Sequence, residues 1–212
     1  MYQKEKKEII KYCRMMIDRG LTKGTSGNIS TFIREDELML ITPSGVDYYD
    51  LKEDDIIVMD LDGGIIDGSK TPSSEYNMHK IFYENRIDIN SIVHTHSINT
   101  TAVSIIDTKL EPIHYLVAMS GAREVPVTEY KTFGTIDLAK EAYEKMLGKN
   151  AVILANHGLL TGAKTLRKAF SIAEDIEFSA EVYLKAKSIS DVKLLSDDEM
   201  DKMINKFFNK GC

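Results

Sequence analysis

Cysteine is scarce in this chain, and long apolar runs are absent. The 212 residues include two cysteines, Cys13 and Cys212, whose spacing fits neither a disulfide framework nor a zinc-binding pair. Cys13 falls within a helical pattern, where we expect it to pack, and Cys212 is the last residue, which we expect to be mobile. The lack of a long apolar run excludes a transmembrane helix.

A secretory leader and an excess of positive charge are also missing. The first residues, 1–8, are mostly charged and lack the apolar centre of a signal peptide, so we expect a cytoplasmic protein without a membrane partner. The net charge of −6 argues against nucleic acid as the main partner. An anionic small substrate is not excluded, because an acidic protein can contain a locally positive site.

The remaining composition is typical of a globular protein with a sizeable core. The chain is 43% hydrophobic and 28% charged. No repeat, low-complexity stretch or linker divides it, so we predict a single domain over residues 1–212. Strand, hairpin and helix patterns alternate without a clean βαβ repeat. The predicted fold class is therefore α/β, with a mixed or antiparallel sheet covered by helices.

Hydrophobic spacing predicts the individual elements. Helices are predicted over residues 3–19, 76–86, 100–106, 136–147, 165–187 and 196–208. Strands are predicted over residues 37–42, 56–61 and 151–156, from residue 65, and just before His94. Residues 111–117 are predicted to be extended, and residues 159–162 to lead to a turn.

Three histidines stand where strand-like segments end. A β-branched run precedes His94 and His96, which would point to one face because they are two residues apart on a strand. A second apolar run leads to His157. Three imidazoles with one carboxylate or water form a catalytic zinc arrangement. Histidines bonded within the core are the alternative, but their grouping at strand ends favours a site.

Two loops rich in glycine and hydroxyl groups precede these histidines. The first is Gly-Thr-Ser-Gly-Asn-Ile-Ser over residues 24–30, and the second is Thr-Pro-Ser-Gly over residues 42–45. Such loops can bind an anion through backbone N–H groups and hydroxyls. Plain turns are the alternative reading. Neither loop is a Walker motif, because no Gly-Lys-Ser/Thr follows.

A third polar segment precedes the helix predicted to begin at Tyr76. Ser73 or Ser74 would be its N-cap, and Glu75 would fall in its first turn. The two hydroxyls could bind phosphate while Glu75 reaches the metal, or the segment could be an ordinary cap with a surface carboxylate. His79 shares the helix face of Glu75, and we favour a role behind the site or in packing over a fourth imidazole ligand.

Together these motifs resemble the class II aldolase/adducin family. The family carries a Gly-Thr-x-Gly-Asn loop, a Thr-Pro-x-Gly turn, a Pro-Ser-Ser-Glu segment, His-x-His, and a late His-His-Gly or Asn-His-Gly. The sequence has all five in that order between Gly24 and Gly158. Residues 113–115 and 130–135 resemble the L-fuculose-phosphate aldolase branch in particular. The resemblance extends over nearly the whole chain.

The resemblance implies a zinc enzyme with one ion per subunit. His94, His96 and His157 would be the ligands, and Glu75 would be a fourth ligand in the empty enzyme and the acid/base once substrate displaces it. Tyr115 would be a proton donor supplied across a subunit interface. The family fold has a mostly antiparallel sheet between helix layers, and its aldolases are C4 tetramers with sites between subunits.

The resemblance also implies a phosphate-binding set drawn from the three polar segments. Its members would be Asn28, Ser44, Gly45, Ser73 and Ser74, with Thr25 and Gly27 shaping the first loop.

The activity implied is that of a lyase in carbohydrate metabolism. It would cleave L-fuculose 1-phosphate or a 5-deoxypentulose 1-phosphate to dihydroxyacetone phosphate and an aldehyde. The C-terminal tail matches one family aromatic at Phe207 but lacks the later tyrosine, so the aldehyde stays open. A zinc ion can act as the electron sink, and no Schiff-base lysine is needed.

Three alternatives share the family resemblance. An L-ribulose-5-phosphate 4-epimerase would carry Asp where this chain has Glu75. A methylthioribulose-1-phosphate dehydratase would also use zinc, but it lacks the match around Tyr115. A non-enzymatic adducin-like interaction module would have lost the metal histidines. A structural zinc protein would need a closed site without the hydroxyl-rich loops.

Overall fold

The chain is described by a computed structural model over residues 1–106 and 108–208. Within these residues it forms six α-helices: α1 (Gln3–Asp18), α2 (Tyr76–Asn85), α3 (Ile98–Ile106), α4 (Ile136–Lys145), α5 (Leu166–Lys187) and α6 (Asp197–Phe208). It forms nine strands: β1 (Asn28–Ile33), β2 (Leu38–Ile41), β3 (Ile57–Asp60), β4 (Ile65–Asp67), β5 (Ser91–Thr95), β6 (Lys109–Leu110), β7 (Val125–Pro126), β8 (Ala151–Leu154) and β9 (Gly158–Ala163).

Seven strands form one antiparallel sheet at the centre of the fold. Their spatial order is β4-β3-β2-β1-β5-β9-β8, and β6 and β7 pair separately. Strand β1 pairs with β5 so that Asn28 lies opposite His94. Strand β5 in turn pairs with β9, placing Thr95 opposite Leu159. The central pairing therefore puts the end of the β5 strand between β1 and the turn that precedes β9.

Helices cover both faces of the sheet. Alternate strand residues point to opposite faces, so Val93 joins the apolar cluster under α1 and α5. Ile92 joins a second cluster with residues of α2 and α4. This arrangement confirms the predicted α/β fold with a mostly antiparallel sheet between helix layers. Asn28 and His94 fall on the face covered by α2 because they alternate with the residues under α1 and α5.

Two strands of the sheet were missed by sequence reasoning. Strand β1 carries polar but buried Asn28 and Ser30 on the side that faces α2. Its sequence therefore does not show the usual alternation of apolar and polar residues. Residues 159–162 were interpreted as leading to a turn, yet they lie in β9. Glycine signalled a turn there, but Gly162 instead allows close packing, since an added β-carbon would lie 2.9 Å from Ile89. The preceding strand ends at Leu154 rather than at residue 156.

The prediction of an extended segment over residues 111–117 is wrong from Tyr115 onward. Residues Tyr115–Ser120 form a 3₁₀ helix. His114 precedes it with extended backbone, and its side chain accepts a hydrogen bond from the Leu116 N–H at 3.3 Å. A local side-chain bond of this kind competes with extended structure.

The remaining predictions concern the cysteines and the membrane. Cys13 is fully buried in α1, as its helical position predicted. Cys212 lies outside the described residues. Among residues 1–106 and 108–208, no helix has both the length and the apolar character needed to span a bilayer.

Candidate active site

Three imidazoles converge at the end of β5. The Nε2 atom of His94 lies 3.0 Å from that of His96 and 3.3 Å from that of His157. The Nε2 atoms of His96 and His157 are 3.1 Å apart. His94 and His96 do lie side by side, as their two-residue spacing predicted, and the structure brings His157 to them.

The backbone around the histidines holds them in place. His94 donates from Nδ1 to the Leu159 carbonyl oxygen at 3.0 Å, which directs its Nε2 at the cluster. His157 lies in the turn between β8 and β9, where Asn156 has a positive φ of 54°. The Asn156 N–H donates to the Ser104 hydroxyl of α3 at 2.9 Å, so α3 supports this turn.

Glycine is required at two points where the flanking segments meet β5. Gly27 has a φ of +78°, and an added β-carbon would lie 2.6 Å from the His94 carbonyl oxygen. A β-carbon on Gly158 would lie 2.1 Å from the Thr95 carbonyl oxygen. These contacts show that the loop over residues 24–30 and the segment ending at Gly158 both pack against the end of β5. Gly27 allows the first loop to approach the His94 backbone this closely, and its part in phosphate binding stays a prediction.

Glu75 is the carboxylate that joins the histidines. It is 6% exposed, and its Oε2 lies 3.2 Å from His94 Nε2, while its Oε1 lies 3.5 Å from His157 Nε2. The prediction of Ser73 or Ser74 as N-cap of α2 is wrong, because Glu75 itself occupies that position. Its side chain makes no cap bond and turns toward the sheet, while the Ser73 hydroxyl accepts from the Glu75 N–H at 3.3 Å.

The four side chains fit a metal ion. One ligand atom from each of Glu75, His94, His96 and His157 lies within 4.8 Å of the others. A tetrahedral zinc site places its ligand atoms about 3.3 Å apart, which matches the Nε2 separations. Glu75 Oε1 is buried with no hydrogen-bond partner, which is costly unless a cation or a proton is supplied. The group therefore could hold a metal ion.

Protonation at the site suits such a role. Burial and the neighbouring charges of His94 and His157 lower the pKa of His96 to about 3. Burial and the charge of His94 lower the pKa of His157 to about 4. Burial alone would raise the pKa of Glu75, but the charges of His94 and His157 and the hydrogen bonds from His94 and Asn28 outweigh it and lower the pKa. Neutral imidazoles at His96 and His157 and an ionised carboxylate at Glu75 are the forms that bind a metal ion.

The three hydroxyl-rich segments are brought together beside Glu75. The Thr42 N–H donates to the Ile29 carbonyl at 3.1 Å, and the Ser73 N–H donates to the Thr42 carbonyl at 3.1 Å. Ser44 N–H donates to the Thr71 carbonyl at 2.9 Å. Of the predicted phosphate-binding residues, Asn28 and Ser73 are buried, whereas the others in these loops are exposed or half-buried: Thr25, Gly27, Ser44, Gly45 and Ser74.

Asn28 lies between Glu75 and His79. Its Nδ2 donates to Glu75 Oε2 at 3.0 Å, and its Oδ1 lies 2.5 Å from His79 Nε2. His79 is fully buried and is not a member of the metal-binding group. The position of His79 behind Asn28 agrees with our preference for a place behind the site or in packing, and its role stays a prediction. Asn28 is 3% exposed and has one further amide N–H, so its predicted phosphate contact stays a prediction.

A cavity of about 270 Å³ opens next to the metal-binding group. Its lining residues include four that were not predicted as site residues. The full lining is Glu75, His96, Tyr130, Lys131, Phe133, Asn156 and His157. The sequence signal for Tyr130, Lys131 and Phe133 was their position in the segment over residues 130–135 that resembles aldolases.

Tyr115 does not line this cavity within the single chain. Its side chain is 46% exposed, and its ring centroid lies 6.4 Å from that of Phe207 in α6. A role for Tyr115 at a neighbour's site is therefore compatible with its position and stays a prediction.

An antiparallel sheet between helix layers, with three histidines and a glutamate at the end of its central strands, defines a metal-binding α/β protein. The chain matches the family model described as Class II Aldolase and Adducin N-terminal domain over residues 7–184. It therefore belongs to the class II aldolase/adducin family.

Individual relatives resemble the chain over nearly its whole length. It is 47% identical to the 5-deoxy-D-ribulose 1-phosphate aldolase of Bacillus thuringiensis serovar kurstaki, over 100% of this chain and 99% of that protein. It is 38% identical to the L-fuculose phosphate aldolase of Escherichia coli K12, over 97% of this chain and 94% of that protein. A solved structure of an L-fuculose 1-phosphate aldolase superimposes with a TM-score of 0.93 at 45% identity, covering 96% of each chain.

Proposed function

We propose that the protein is a metal-dependent lyase that cleaves a ketose 1-phosphate into dihydroxyacetone phosphate and an aldehyde. The observation that carries this proposal is the convergence of three imidazoles and the buried, unpartnered Oε1 of Glu75. Relatives named as aldolases of 5-deoxyribulose 1-phosphate and fuculose phosphate support the substrate class.

Zinc is the metal that we propose, held by His94, His96, His157 and Glu75. Three neutral imidazoles and one carboxylate are a zinc ligand set. Bound there, the ion would act as a Lewis acid toward the negative charge that carbon–carbon cleavage leaves next to the C2 carbonyl.

Glu75 would act as the general acid and base at C3 of the substrate. In cleavage the C3–C4 bond breaks, its electron pair passes toward the C2 carbonyl, and C3 then takes up a proton. Once displaced from the metal, Glu75 would take up a proton from solvent and deliver it to C3, and in the reverse direction its carboxylate would remove the C3 proton and release it to solvent. Tyr115 would exchange the proton of the C4 oxygen, removing it during cleavage and returning it during synthesis. Its side-chain exposure of 46% leaves it accessible to a neighbouring subunit.

The three polar loops would bind the substrate phosphate. Exposed hydroxyls at Ser44 and Ser74, together with the backbone of Gly45, lie in segments that hydrogen bond to one another. Ser73, Asn28 and the loop containing Thr25 and Gly27 complete the proposed set. Neutral donors of this kind orient a phosphate through directed hydrogen bonds.

We further propose a homotetramer with active sites between subunits. Large apolar side chains are exposed near the proposed site and near Tyr115, as expected of an interface. They include Ile98, Ile105, Ile106, Tyr130, Phe133 and Phe178, each at least 48% exposed. Phe207 lies beside Tyr115. The C-terminal tail, which lacks the later family tyrosine, would therefore contact the part of the substrate that becomes the aldehyde. We propose a cytoplasmic location for this assembly.

A coupled assay for dihydroxyacetone phosphate tests the function. L-fuculose 1-phosphate and 5-deoxyribulose 1-phosphate would be supplied in parallel, with and without a chelator. We expect product that disappears with chelator and returns with zinc, and the ratio of the two rates identifies the preferred aldehyde. If zinc-loaded protein releases no product from either substrate, aldol cleavage is refuted. Epimerase and dehydratase assays would then follow.

A further inference from the structure

A chain of hydrogen bonds runs behind Glu75 between β1 and α2. Glu75 Oε2 accepts from Asn28 Nδ2 at 3.0 Å, and Asn28 Oδ1 lies 2.5 Å from His79 Nε2. His79 Nδ1 lies 2.6 Å from the Ser30 hydroxyl, which lies 2.5 Å from the Tyr83 hydroxyl. The chain thus joins five side chains from two elements.

The spacing of these residues shows why they meet. Asn28 and Ser30 are two residues apart on β1, so they share a face of the sheet. Glu75, His79 and Tyr83 recur every four residues and share a face of α2 and its N-terminus. His79 and Ser30 are fully buried, and Tyr83 is 2% exposed. Water therefore does not compete for these bonds.

Only one set of donor directions satisfies every member when Glu75 is ionised. An ionised carboxylate only accepts, so Asn28 must present its NH₂ group to Glu75 and its oxygen to His79. His79 must then carry its proton on Nε2 and accept at Nδ1 from the Ser30 hydroxyl. Burial and the charge of His94 lower the pKa of His79 to about 3, so the ring is neutral, as this arrangement requires.

The chain makes the two oxygens of Glu75 different. Oε2 is held by Asn28, whereas Oε1 has no hydrogen-bond partner. If the Asn28 side-chain amide rotated by half a turn, its oxygen would face the Glu75 carboxylate, and the two would repel each other. His79 prevents this, because rotation would turn the Asn28 NH₂ group toward the N–H of the imidazole.

We infer that His79 is a positioning residue that, through Asn28, holds Glu75 by Oε2 and leaves Oε1 as the oxygen that exchanges protons with the substrate. This inference rests on the proposed function for the proton exchange. The orientation of Asn28 and the tautomer of His79 do not depend on the proposed function.

Two substitutions of His79 separate positioning from packing. His79→Leu removes the donor to Asn28 but keeps an apolar side chain, whereas His79→Gln keeps an N–H donor. Met78→Leu, at a neighbouring buried position on α2, is the matched control for repacking. The readouts are kcat, KM, and the exchange of a C3 proton of dihydroxyacetone phosphate with solvent deuterium, followed by proton NMR without aldehyde.

For His79→Leu we expect kcat and the exchange rate to fall about 10–100-fold, with KM little changed. His79→Gln and Met78→Leu should retain most of the exchange activity. Unchanged exchange in folded His79→Leu, or equal losses in the Leu and Gln variants, would overturn the inference.

Neutron diffraction from deuterated crystals provides a readout that does not depend on activity. We expect a deuteron on Nε2 of His79, directed at Asn28 Oδ1, and none on Nδ1. A deuteron on Nδ1 alone would refute the inference even if the protein is an aldolase. If wild-type protein neither cleaves a ketose phosphate nor exchanges the C3 proton, the proposed function fails, while the tautomer result still decides the orientation of Asn28.

Discussion

The α-carbon of Gly158 lies directly against the carbonyl oxygen of Thr95, so that an added β-carbon would be 2.1 Å from that oxygen. Thr95 ends β5 between His94 and His96, and Gly158 follows His157. This single backbone contact therefore fixes the distance between two of the metal-binding segments.

Replacing Gly158 by alanine should separate these segments. We expect Gly158→Ala to lower the free energy of unfolding by at least about 2–3 kcal/mol, since overpacking against backbone cannot relax through a side chain. Zinc affinity, measured by competition with a chromophoric chelator, should fall as well. Gly20→Ala is the control: it strains the backbone after α1, at φ +68°, but an added β-carbon there meets nothing within 4 Å, so zinc affinity should be unchanged.

Glu75→Gln should keep the fold and reduce catalysis. The amide is close in shape to the carboxylate but cannot exchange a proton with C3, so kcat should fall about 10²–10⁴-fold. Steady-state kinetics and thermal unfolding would be compared with Glu84→Gln, which removes an exposed carboxylate from the other end of α2. Near wild-type turnover by Glu75→Gln would rule out its acid/base role.

The stability of metal-free protein should depend on pH through His79. Its pKa is about 3 in the folded state, against about 6.5 for a solvent-exposed histidine in the unfolded chain. Between these values the unfolded state binds more protons, so stability falls as pH is lowered. His79 should contribute a loss of about 2 kcal/mol between pH 7 and pH 5.

Urea unfolding at pH 7 and pH 5 measures this contribution. His79→Gln has no titrating group at this position, so it should lose less stability than wild type over the same interval. Parallel losses in the two proteins would contradict a neutral, buried His79.

Mixing two inactive variants tests the role of Tyr115. If each site combines Glu75 of one subunit with Tyr115 of another, mixed oligomers of Glu75→Gln and Tyr115→Phe contain some sites with both native residues. Random assembly at equal amounts gives about ½ × ½, or a quarter, of such sites in a ring with head-to-tail interfaces. Activity should rise toward a quarter of wild type after refolding together. No recovery in verified mixed oligomers would place both residues in one subunit or exclude Tyr115.

The exposed hydroxyls of Ser44 and Ser74 should affect phosphate binding selectively. Each alanine substitution should raise KM by about 5–15-fold, the equivalent of about 1–1.5 kcal/mol for one hydrogen bond, with kcat less affected. Inhibition by inorganic phosphate should weaken in parallel. Ser69→Ala, an exposed serine outside the predicted set, is the control. Equal KM changes in all three variants would remove these hydroxyls from the phosphate site.

Sequence reasoning was reliable where a residue pattern has one local meaning. The amphipathic spacing of α1 and α5 predicted their bounds to within a residue or two. It was less reliable where tertiary contacts override the local signal. Gly162 suggested a turn, yet it lies in β9, where it permits close packing against Ile89.

The connection between Asn28, His79 and Glu75 was also beyond the sequence. The family resemblance assigned Asn28 to phosphate, in a loop rich in glycine and hydroxyls. The structure shows its amide bonded to Glu75 and His79, because β1 and α2 pack face to face. Spacing alone indicates that residues share a face, but it does not say which face meets which.

By itself the sequence determined the side chains capable of the chemistry: three histidines, a glutamate and hydroxyl-rich loops, each placed at the end of a helix or strand by local patterns. The tertiary structure decided how they combine. Antiparallel pairing of β1, β5 and β9 brought distant segments together, and burial between the sheet and α2 left Glu75 Oε1 without a partner. Long-range packing sets these distances, and no local propensity encodes them.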